Sequence, residues 1–291
     1  MIIFLPFVRL FVLLPFGLQL WIGKLLGRLA YCLLKSRRNI AMVNLRHCFP
    51  DLNEQECKHL CRKNFENVGM GMIEALAAWF MSEKRILKIP CTWIGQEHYE
   101  AALAANKGII ALSGHFTSIE MIGRIFGKWI PAHFVYKPSR NTTIDQLVVN
   151  GRKRYAEGLL KHENMKAMVS CLKKKNLVWF APDQDFGRVR AEFVPFCGVE
   201  AATIVAISIL AKLGDAVVMP MFMRRTENNG YELTTLPYWD QFPSESHYED
   251  CKRYNDALTE YVRKYPEQYL WIHRRFKTVK TGENIYTLEK E

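Results

Sequence analysis

Apolar residues recur along this chain in two alternating patterns, which together predict a sheet packed against helices. From residue 57 to residue 80 they recur at helical spacing, which predicts one long amphipathic helix. Asn53, with Glu56 three positions later, is the expected start of that helix, because this pair can form a capping box. After residue 95, apolar runs of strand length alternate with helical segments, so we predict an α/β fold with a single mixed sheet flanked by helices.

The elements predicted after residue 95 follow one another in a regular order. Helices are expected at residues 97–105, 119–126, 165–174 and 202–213, and strands at residues 109–112, 133–136, 177–181 and 216–223. Residues 231–236 are expected to pair as one arm of a hairpin. The sequence contains neither an internal repeat nor a disordered linker, so residues 35–291 are predicted to form one domain.

Residues 1–34 form a separate, mostly apolar segment that we expect to attach the protein to a membrane. Arg9 is its only charged residue before Lys24, and Pro6 and Pro15 interrupt it. The basic cluster at residues 35–38 is typical of the cytoplasmic side of a membrane. The sequence leaves open whether the segment spans the bilayer or lies in its interface, with Trp21 at the depth of the headgroups.

The charge of the chain indicates an anionic partner. Lys and Arg total 40 against 29 for Asp and Glu, a net charge of +11, which favours an anionic membrane face, a phosphorylated substrate or an acidic protein. Nucleic acid is not expected as a partner, because the chain has no recognised nucleic-acid motif and no aromatic-basic platform. The eight cysteines include no Cys-x-x-Cys pair, so we expect reduced, mostly buried thiols and no zinc site.

The strongest candidate for catalysis is the stretch that follows the strand at residues 109–112. His115 lies in a turn after Gly114, and Glu120 lies five residues later, at the start of the next helix. A carboxylate that accepts a hydrogen bond from one imidazole nitrogen leaves the other nitrogen free as a base. The sequence therefore predicts that Glu120 orients His115, at the sheet edge where ligands bind in α/β folds.

Three further stretches carry polar groups that could serve the same site. One stretch ends a strand and continues to a basic segment, one ends a strand on two carboxylates, and one lies near the C-terminus. Their candidate residues are Tyr136, Lys137, Asn141 and Arg152; Asp183 and Asp185; and Arg274 and Arg275. Asp183 and Asp185 could also pair with local arginines. A metal site is not expected, because too few oxygen ligands accompany Asp183, Asp185 and Glu120.

Taken together, these stretches resemble the lipid A biosynthesis acyltransferases, in particular the late lauroyl-type enzymes. The resemblance runs from about residue 35 to residue 278 and includes the apolar N-terminal segment. The matching stretches are Asn44-Leu45 with Phe49-Pro50, Asn64–Glu66 with Gly69–Gly71, His115 with Glu120, Tyr136–Pro138 with Asn141, Gly151-Arg152, Asp183–Gly187, Phe193–Phe196 and Pro266–Lys277. The wider superfamily of glycerolipid acyltransferases usually has aspartate at the position of Glu120.

The resemblance implies an inner-membrane enzyme whose catalytic domain faces the cytoplasm. It would transfer a fatty acyl group, lauroyl above others, from acyl carrier protein to a hydroxyl of the Kdo-bearing tetra-acyl lipid A precursor. His115 would act as general base and Glu120 would stabilise its imidazolium, with Arg152 as the candidate oxyanion donor. Arg274 and Arg275 would bind phosphate or Kdo groups. No permanently bound cofactor is expected, since the acyl thioester of the carrier protein is a co-substrate.

Two other functions remain open at this point. A lysophospholipid or glycerol-phosphate acyltransferase would use the same His and acid, but residues 183–187 and 273–277 are less typical of that group. A non-catalytic, basic membrane-surface protein would account for the charge and the N-terminal segment. It would not account for a His and an acid at the end of a strand.

Overall fold

A computed structural model describes residues 4–283 and 285–288 of the protein. Residues 1–3 of the predicted membrane segment lie outside this description, as do residues 284 and 289–291 of the predicted domain at residues 35–291. The helices are α1 (Phe4–Phe11), α2 (Phe16–Leu33), α3 (Lys35–Cys48), α4 (Glu54–Phe80), α5 (Glu83–Ile86), α6 (Gln96–Ala104), α7 (Ile119–Phe126), α8 (Thr142–Arg152), α9 (Met165–Lys173), α10 (Ala206–Gly214), α11 (His247–Lys264) and α12 (Ile285–Leu288), with a 3₁₀ turn at Pro266–Gln268. The strands are β1 (Cys91–Ile94), β2 (Gly108–Leu112), β3 (Ala132–Tyr136), β4 (Gly158–Lys161), β5 (Leu177–Phe180), β6 (Ala191–Phe196), β7 (Val199–Ile204), β8 (Ala216–Arg225) and β9 (Tyr231–Thr235).

Seven of these strands form one sheet in the order β1-β9-β8-β2-β5-β3-β4. β8, β2, β5, β3 and β4 are all parallel to one another. β9 pairs antiparallel with β8 and parallel with β1, so the sheet is mixed, as predicted. The carboxyl ends of the five parallel strands lie at the same edge of the sheet, which brings the loops after β2, β5 and β3 together there.

Most of the predicted elements are confirmed. All five residues of β2 are buried, as expected for a central parallel strand covered on both faces. The long amphipathic helix is α4, and it starts with the predicted capping box: the Asn53 side chain accepts from the backbone of Glu56, whose carboxylate accepts from the Asn53 N–H. Tyr231–Thr235 is the predicted hairpin arm, because it pairs with the end of β8.

The prediction also differs from the structure in several places, since α8, α11 and β6 have no predicted counterpart. β1 and β4 were not predicted either, because they are the two edge strands of the sheet and their residues are exposed or half-buried, so neither forms a fully apolar run. The helix expected from residue 202 begins at Ala206, because the preceding residues form β7, which pairs with β6 in a separate two-stranded hairpin. The small side chains of residues 201–203 suit either structure, and the pairing partner decides between them.

The N-terminal segment consists of two helices, and α2 packs closely against α4. A Cβ atom at Gly27 would lie 2.2 Å from the Phe65 carbonyl oxygen, and one at Gly69 would lie 2.2 Å from the Gly23 carbonyl oxygen. Small residues therefore let the two backbones approach each other closely. Arg28 Nε also donates to Glu66 Oε1 at 2.7 Å across this interface. None of the helices in the described ranges is both long enough and apolar enough to cross a bilayer.

Replacing Gly27 by Ala should loosen α2 from α4. The added methyl group overlaps the Phe65 carbonyl, so we expect a loss of about 1–3 kcal/mol in the free energy of unfolding. Thermal unfolding in detergent measures the effect. The matched control is Gly17→Ala on the same helix, where the nearest atom to a Cβ would be 3.6 Å away. That control should be neutral or slightly stabilising, and equal effects of the two substitutions would contradict the close packing.

Candidate active site

The loops after β2 and β5 bring His115 and Asp183 into direct contact. The Ser113 N–H donates to the Phe180 carbonyl at 2.9 Å, which keeps the two strands paired up to the start of both loops. His115 Nδ1 then lies 2.5 Å from Asp183 Oδ1, and the His115 backbone N–H donates to Asp183 Oδ2 at 2.9 Å. Asp183 is buried, whereas the His115 side chain is 32% exposed. Asp183 thus fixes one side of the imidazole, while another part of the ring is accessible to solvent.

The C-terminal stretch also contacts both Asp183 and the loop that carries His115. Tyr269 OH donates to Asp183 Oδ2 at 2.8 Å. Leu270 N–H donates to the His115 carbonyl at 3.0 Å, and Thr117 N–H donates to the Gln268 carbonyl at 2.9 Å. The backbone on both sides of Tyr269 therefore holds the loop that carries His115.

The environment of Asp183 keeps its carboxyl group ionised. Burial alone would raise the pKa of Asp183, but the charge of His115 and the hydrogen bonds from His115 and Tyr269 outweigh it and lower the pKa to about 2. An ionised carboxylate can only accept hydrogen bonds, so Nδ1 of His115 carries a proton and donates it. In the neutral ring, Nε2 is then the nitrogen with a free lone pair, which suits it to act as a base.

Glu120 does not contact His115, so the prediction that it orients the imidazole is wrong. Its Oε1 accepts from Arg152 Nε at 3.0 Å and from Nη2 at 2.5 Å, and its Oε2 accepts from Tyr155 OH at 2.7 Å and from Trp79 Nε1 at 2.9 Å. These donors occupy both carboxylate oxygens. The spacing of five residues placed the acid on α7, whose first turn faces α4 and α8 rather than the loop before it.

The cluster of Glu120, Arg152, Tyr155 and Trp79 is a second buried ionic site. Burial tends to raise the pKa of Glu120, but the Arg152 charge and the three side-chain donors lower it overall. The Glu120 charge raises the pKa of Arg152 against the opposing effect of burial. The Arg152 side chain is 18% exposed, so the cluster is mostly, but not completely, shielded from solvent.

The structure assigns Arg275 and two other predicted residues to structural contacts. Arg275 is buried and donates to the Ala202 carbonyl at 2.6 Å and to Thr203 Oγ1 at 2.8 Å, so it cannot reach a substrate from this position. Asp185 accepts from Thr278 N–H and its hydroxyl at 2.6 and 2.8 Å. Asn141 caps α8 by accepting from the backbone of residues 143 and 144.

Three predicted residues remain at or near the surface. Arg274 and Lys137 are exposed, and Tyr136 is half-buried at the carboxyl end of β3. The Arg274 guanidinium lies over the Tyr286 ring, 5.8 Å from its centroid. Within the residues that the structure describes, no three His, Cys, Asp or Glu side chains are grouped to hold a metal ion. All eight cysteines are free and six of them are buried, as predicted.

Sequence reasoning did not identify the functional contacts of Trp79, Tyr155 and Tyr269. Each of these residues is far in sequence from the carboxylate it contacts, and each also fits an ordinary core position. The partnership of His115 and Asp183 had a usable signal. Both residues follow predicted strands, and the prediction already placed the ends of those strands at one edge of the sheet.

An apolar slot lies between α7 and the sheet, and it begins four residues after His115. Because α7 runs antiparallel to the strands, Ile119 marks the end of the slot near the catalytic edge and Ile130 the opposite end. The slot holds a narrow void of about 30 Å³. Its lining side chains include Ile119, Ile122, Phe126, Ile130, Ala132, Phe134, Leu177 and Trp179.

A buried acid that fixes an accessible imidazole is an arrangement that suits general acid–base chemistry. The fold and site thus describe an α/β protein with a histidine placed for such chemistry at the carboxyl edge of its sheet. The chain belongs to the bacterial lipid A biosynthesis acyltransferases, because the family model of that description matches residues 1–278. It is therefore an O-acyltransferase of lipid A biosynthesis.

Individual relatives agree with this assignment. The lipid A biosynthesis lauroyltransferase of Escherichia coli K12 is 38% identical over 278 residues, covering 94% of this chain and 90% of that protein. The palmitoleoyltransferase of the same organism is 34% identical over 280 residues, covering 94% and 90%. Among solved structures, the 1-acyl-sn-glycerophosphate acyltransferase of Thermotoga maritima aligns over 83% of this chain and 97% of its own, with 12% identity and a TM-score of 0.42. That similarity is too low to support an argument.

Replacing Arg275 by Ala should destabilise the protein rather than weaken substrate binding. The Ala202 carbonyl and Thr203 hydroxyl would lose a buried charged donor, so we expect a loss of about 2–4 kcal/mol in the free energy of unfolding. Denaturant unfolding measures it. Arg274→Ala, on the neighbouring exposed residue, should change stability by less than about 0.5 kcal/mol. A stable Arg275→Ala variant with a raised acceptor KM would instead support the predicted role of Arg275 in binding phosphate or Kdo groups.

Proposed function

We propose that the protein transfers a fatty acyl group, lauroyl in first place, from acyl carrier protein to a hydroxyl of the Kdo-bearing tetra-acyl lipid A precursor. The observation that carries the proposal is the contact between His115 and Asp183 at the edge of the sheet. The apolar slot, whose lining begins at Ile119, is the candidate site for the acyl chain. Membership of the lipid A family supplies the substrate class. The names of the lauroyl and palmitoleoyl relatives support a medium or long acyl chain.

In the proposed reaction, His115 Nε2 takes the proton of the acceptor hydroxyl as its oxygen attacks the carbonyl carbon of the thioester. A C–O bond forms, and the C–S bond to the carrier's phosphopantetheine breaks. The imidazolium then returns the proton to the leaving thiolate. Asp183, ionised because its pKa is about 2, holds Nδ1–H throughout and stabilises the positive ring. The transfer is direct, so none of the buried cysteines serves as a nucleophile.

Arg152 remains our candidate for stabilising the oxyanion of the tetrahedral intermediate. Its Nε and Nη2 atoms bind Glu120, so the Glu120 carboxylate would set the direction of the guanidinium. Trp79 and Tyr155 in turn fix that carboxylate. Glu120 is thus a positioning residue for Arg152 in this proposal, which gives the second acid of the motif a role without contact to His115.

The donor chain would enter the slot beneath α7. The entrance at Ile119 is close in sequence to His115, and the far end at Ala132 and Leu177 lies at the amino edge of the sheet. In this proposal, the side chains at the far end would limit the length of the chain that the slot accepts. Because the void is only about 30 Å³, α7 must move away from the sheet when a chain enters.

The N-terminal helices would hold the catalytic domain at the inner face of the cytoplasmic membrane. They expose a row of large apolar side chains, which suits insertion into the interface more than contact with water. The net charge of +11 suits the anionic carrier protein, the acceptor phosphates and anionic lipids. The exposed side chains of this row are Phe7, Leu10, Leu13, Leu18, Trp21, Leu25, Leu26, Leu29 and Leu33.

A glycerolipid acceptor is the alternative for the same chemistry. Mass spectrometry of products separates the two functions, using a mixture of acyl-carrier thioesters with either the tetra-acyl precursor or a lysophospholipid. Our proposal expects acylated lipid A precursor as the main product. Acylation of the lysophospholipid alone would contradict it.

Asp183→Asn should reduce kcat/KM by about 10²–10⁴-fold, because an amide can hold the wrong tautomer of His115 and cannot stabilise the imidazolium. Steady-state assays with the precursor measure this loss. His115→Ala should be at least as impaired while the fold and membrane association persist. Wild-type kcat/KM should show no titration of Asp183 above about pH 4, since its pKa is about 2. An active Asp183→Asn enzyme would contradict the mechanism.

Two substitutions at the far end of the slot should change chain-length preference in opposite directions. Ala132→Leu fills the far end of the slot and should favour shorter acyl donors, whereas Leu177→Ala widens that end and should favour longer ones. Competition between acyl-carrier thioesters of different lengths, read by mass spectrometry, measures the preference. A shift in the same direction for both variants would show that the chain binds elsewhere.

A further inference from the structure

A second apolar pocket lies on the opposite face of the sheet from the α7 slot. Its void measures about 170 Å³. It lies between the N-terminal ends of α9 and α10 and under the loop that follows Asp183. Its principal lining residues are His162, Met165, Met168, Phe186, Ile209 and Leu210. We call it the α9–α10 pocket.

The alternation of side chains along β5 shows that the two cavities are on opposite faces. Leu177 and Trp179 line the α7 slot, whereas Phe180 lines the α9–α10 pocket. Successive side chains of a strand point to opposite faces of its sheet. Phe180 is the last residue of β5, so the pocket is at the carboxyl edge, three residues from Asp183.

The two cavities differ in width and in exposure, and this difference indicates which acyl chain each one binds. The slot is narrow, with a void of about 30 Å³, and its lining runs from Ile119 to Ala132 and Leu177 at the amino edge of the sheet. The α9–α10 pocket instead has an exposed apolar rim, where Phe186 is 40% and Val189 82% exposed. Such a rim suits a chain that arrives from a lipid surface. His162 and Arg190 also line the pocket and can donate to polar groups of a lipid.

We propose that the α9–α10 pocket binds one acyl chain of the acceptor, while the donor chain occupies the α7 slot. This inference rests on the proposed function, because that function supplies an acceptor with several acyl chains. The edge of the sheet, with His115 and Asp183, then lies between the two chains. Binding on opposite faces lets the acceptor hydroxyl and the thioester meet there without the two chains competing for one cavity. The methionines give the pocket an adaptable wall.

Photocrosslinking of the wild-type protein tests the assignment directly. The probe is a tetra-acyl lipid A precursor with a diazirine midway along one acyl chain, tested in a separate sample for each chain. In one of these samples we expect adducts in peptides that contain Met165, Met168 or Ile209, removed by competition with unlabelled precursor. A carrier thioester with a diazirine on its acyl chain should instead label Ile122 or Trp179. Precursor adducts confined to the slot, donor adducts in the α9–α10 pocket, or no competed adduct would overturn the inference.

Steady-state kinetics of a variant whose α9–α10 pocket is filled by a larger side chain provide the second measurement. Ala206 lines the pocket at the start of α10, and Ala206→Phe should raise the KM of the tetra-acyl precursor at least tenfold, about 1.4 kcal/mol. The kcat value and the KM of the donor should remain unchanged. Ala167→Phe, on α9 but outside the pocket lining, is the matched control and should leave the acceptor KM unaltered. An unchanged acceptor KM in a folded Ala206→Phe enzyme would contradict the proposal.

The two measurements separate this inference from the proposed function. Crosslinking requires binding but no turnover, so precursor adducts in the pocket of a protein that does not acylate the precursor would refute the function and sustain the binding site. Normal acylation of the precursor with no adducts in the α9–α10 pocket would support the function and refute the binding site. If Ala206→Phe does not fold, the wild-type crosslinks decide alone.

Discussion

The edge of the sheet that carries His115 depends on a single buried carboxylate. Asp183 accepts hydrogen bonds from the His115 ring, from the His115 backbone and from Tyr269, so it joins three stretches that are far apart in sequence. Burial of a charge is costly unless it is paired, and here two contacts come from His115 and one from Tyr269. The pairing of β2 with β5 brings the two loops to the same place, and the C-terminal stretch completes the set. The orientation of the His115 ring is therefore a property of the sheet topology as much as of the residue itself.

The two acids of the site belong to separate networks, and this separation changes how the His-x4-Glu motif should be understood. Glu120 is neutralised by Arg152 and receives two further hydrogen bonds, whereas Asp183 faces the imidazole. Each carboxylate keeps its charge, because each has its own set of hydrogen-bond donors that outweighs the effect of burial on its pKa. In our proposal, one acid serves the base and the other serves the group that stabilises the oxyanion. Two residues at a fixed spacing can thus belong to two hydrogen-bond networks rather than form one pair.

Most elements of the fold could be predicted from the sequence, but fewer of the contacts in the candidate site could be. Strongly periodic elements such as α4, and apolar runs such as β2 and β8, were predictable because burial imposes a pattern that can be read locally. β1 and β4 were not, since their pairing comes from neighbours in space. The same reason explains the errors in the site. The partners of Glu120 are brought to it by α4 and α8, and Arg275 has the composition of an anion ligand but lies against β7. Residue type and spacing do not reveal which charges will be buried together.

The close contact of α2 with α4 has a mechanical consequence. α4 is an unbroken helix from Glu54 to Phe80, and while Gly69 on it touches α2, Trp79 near its end holds Glu120. Ten residues of helix separate these two points, which is a rigid length of about 15 Å. If the apolar face of α2 rests in the lipid interface, α4 acts as a strut of fixed length between that interface and the Glu120 cluster. The height of the reaction above the membrane would then be built into the protein, so that a lipid held by its tails presents its hydroxyl at a constant level.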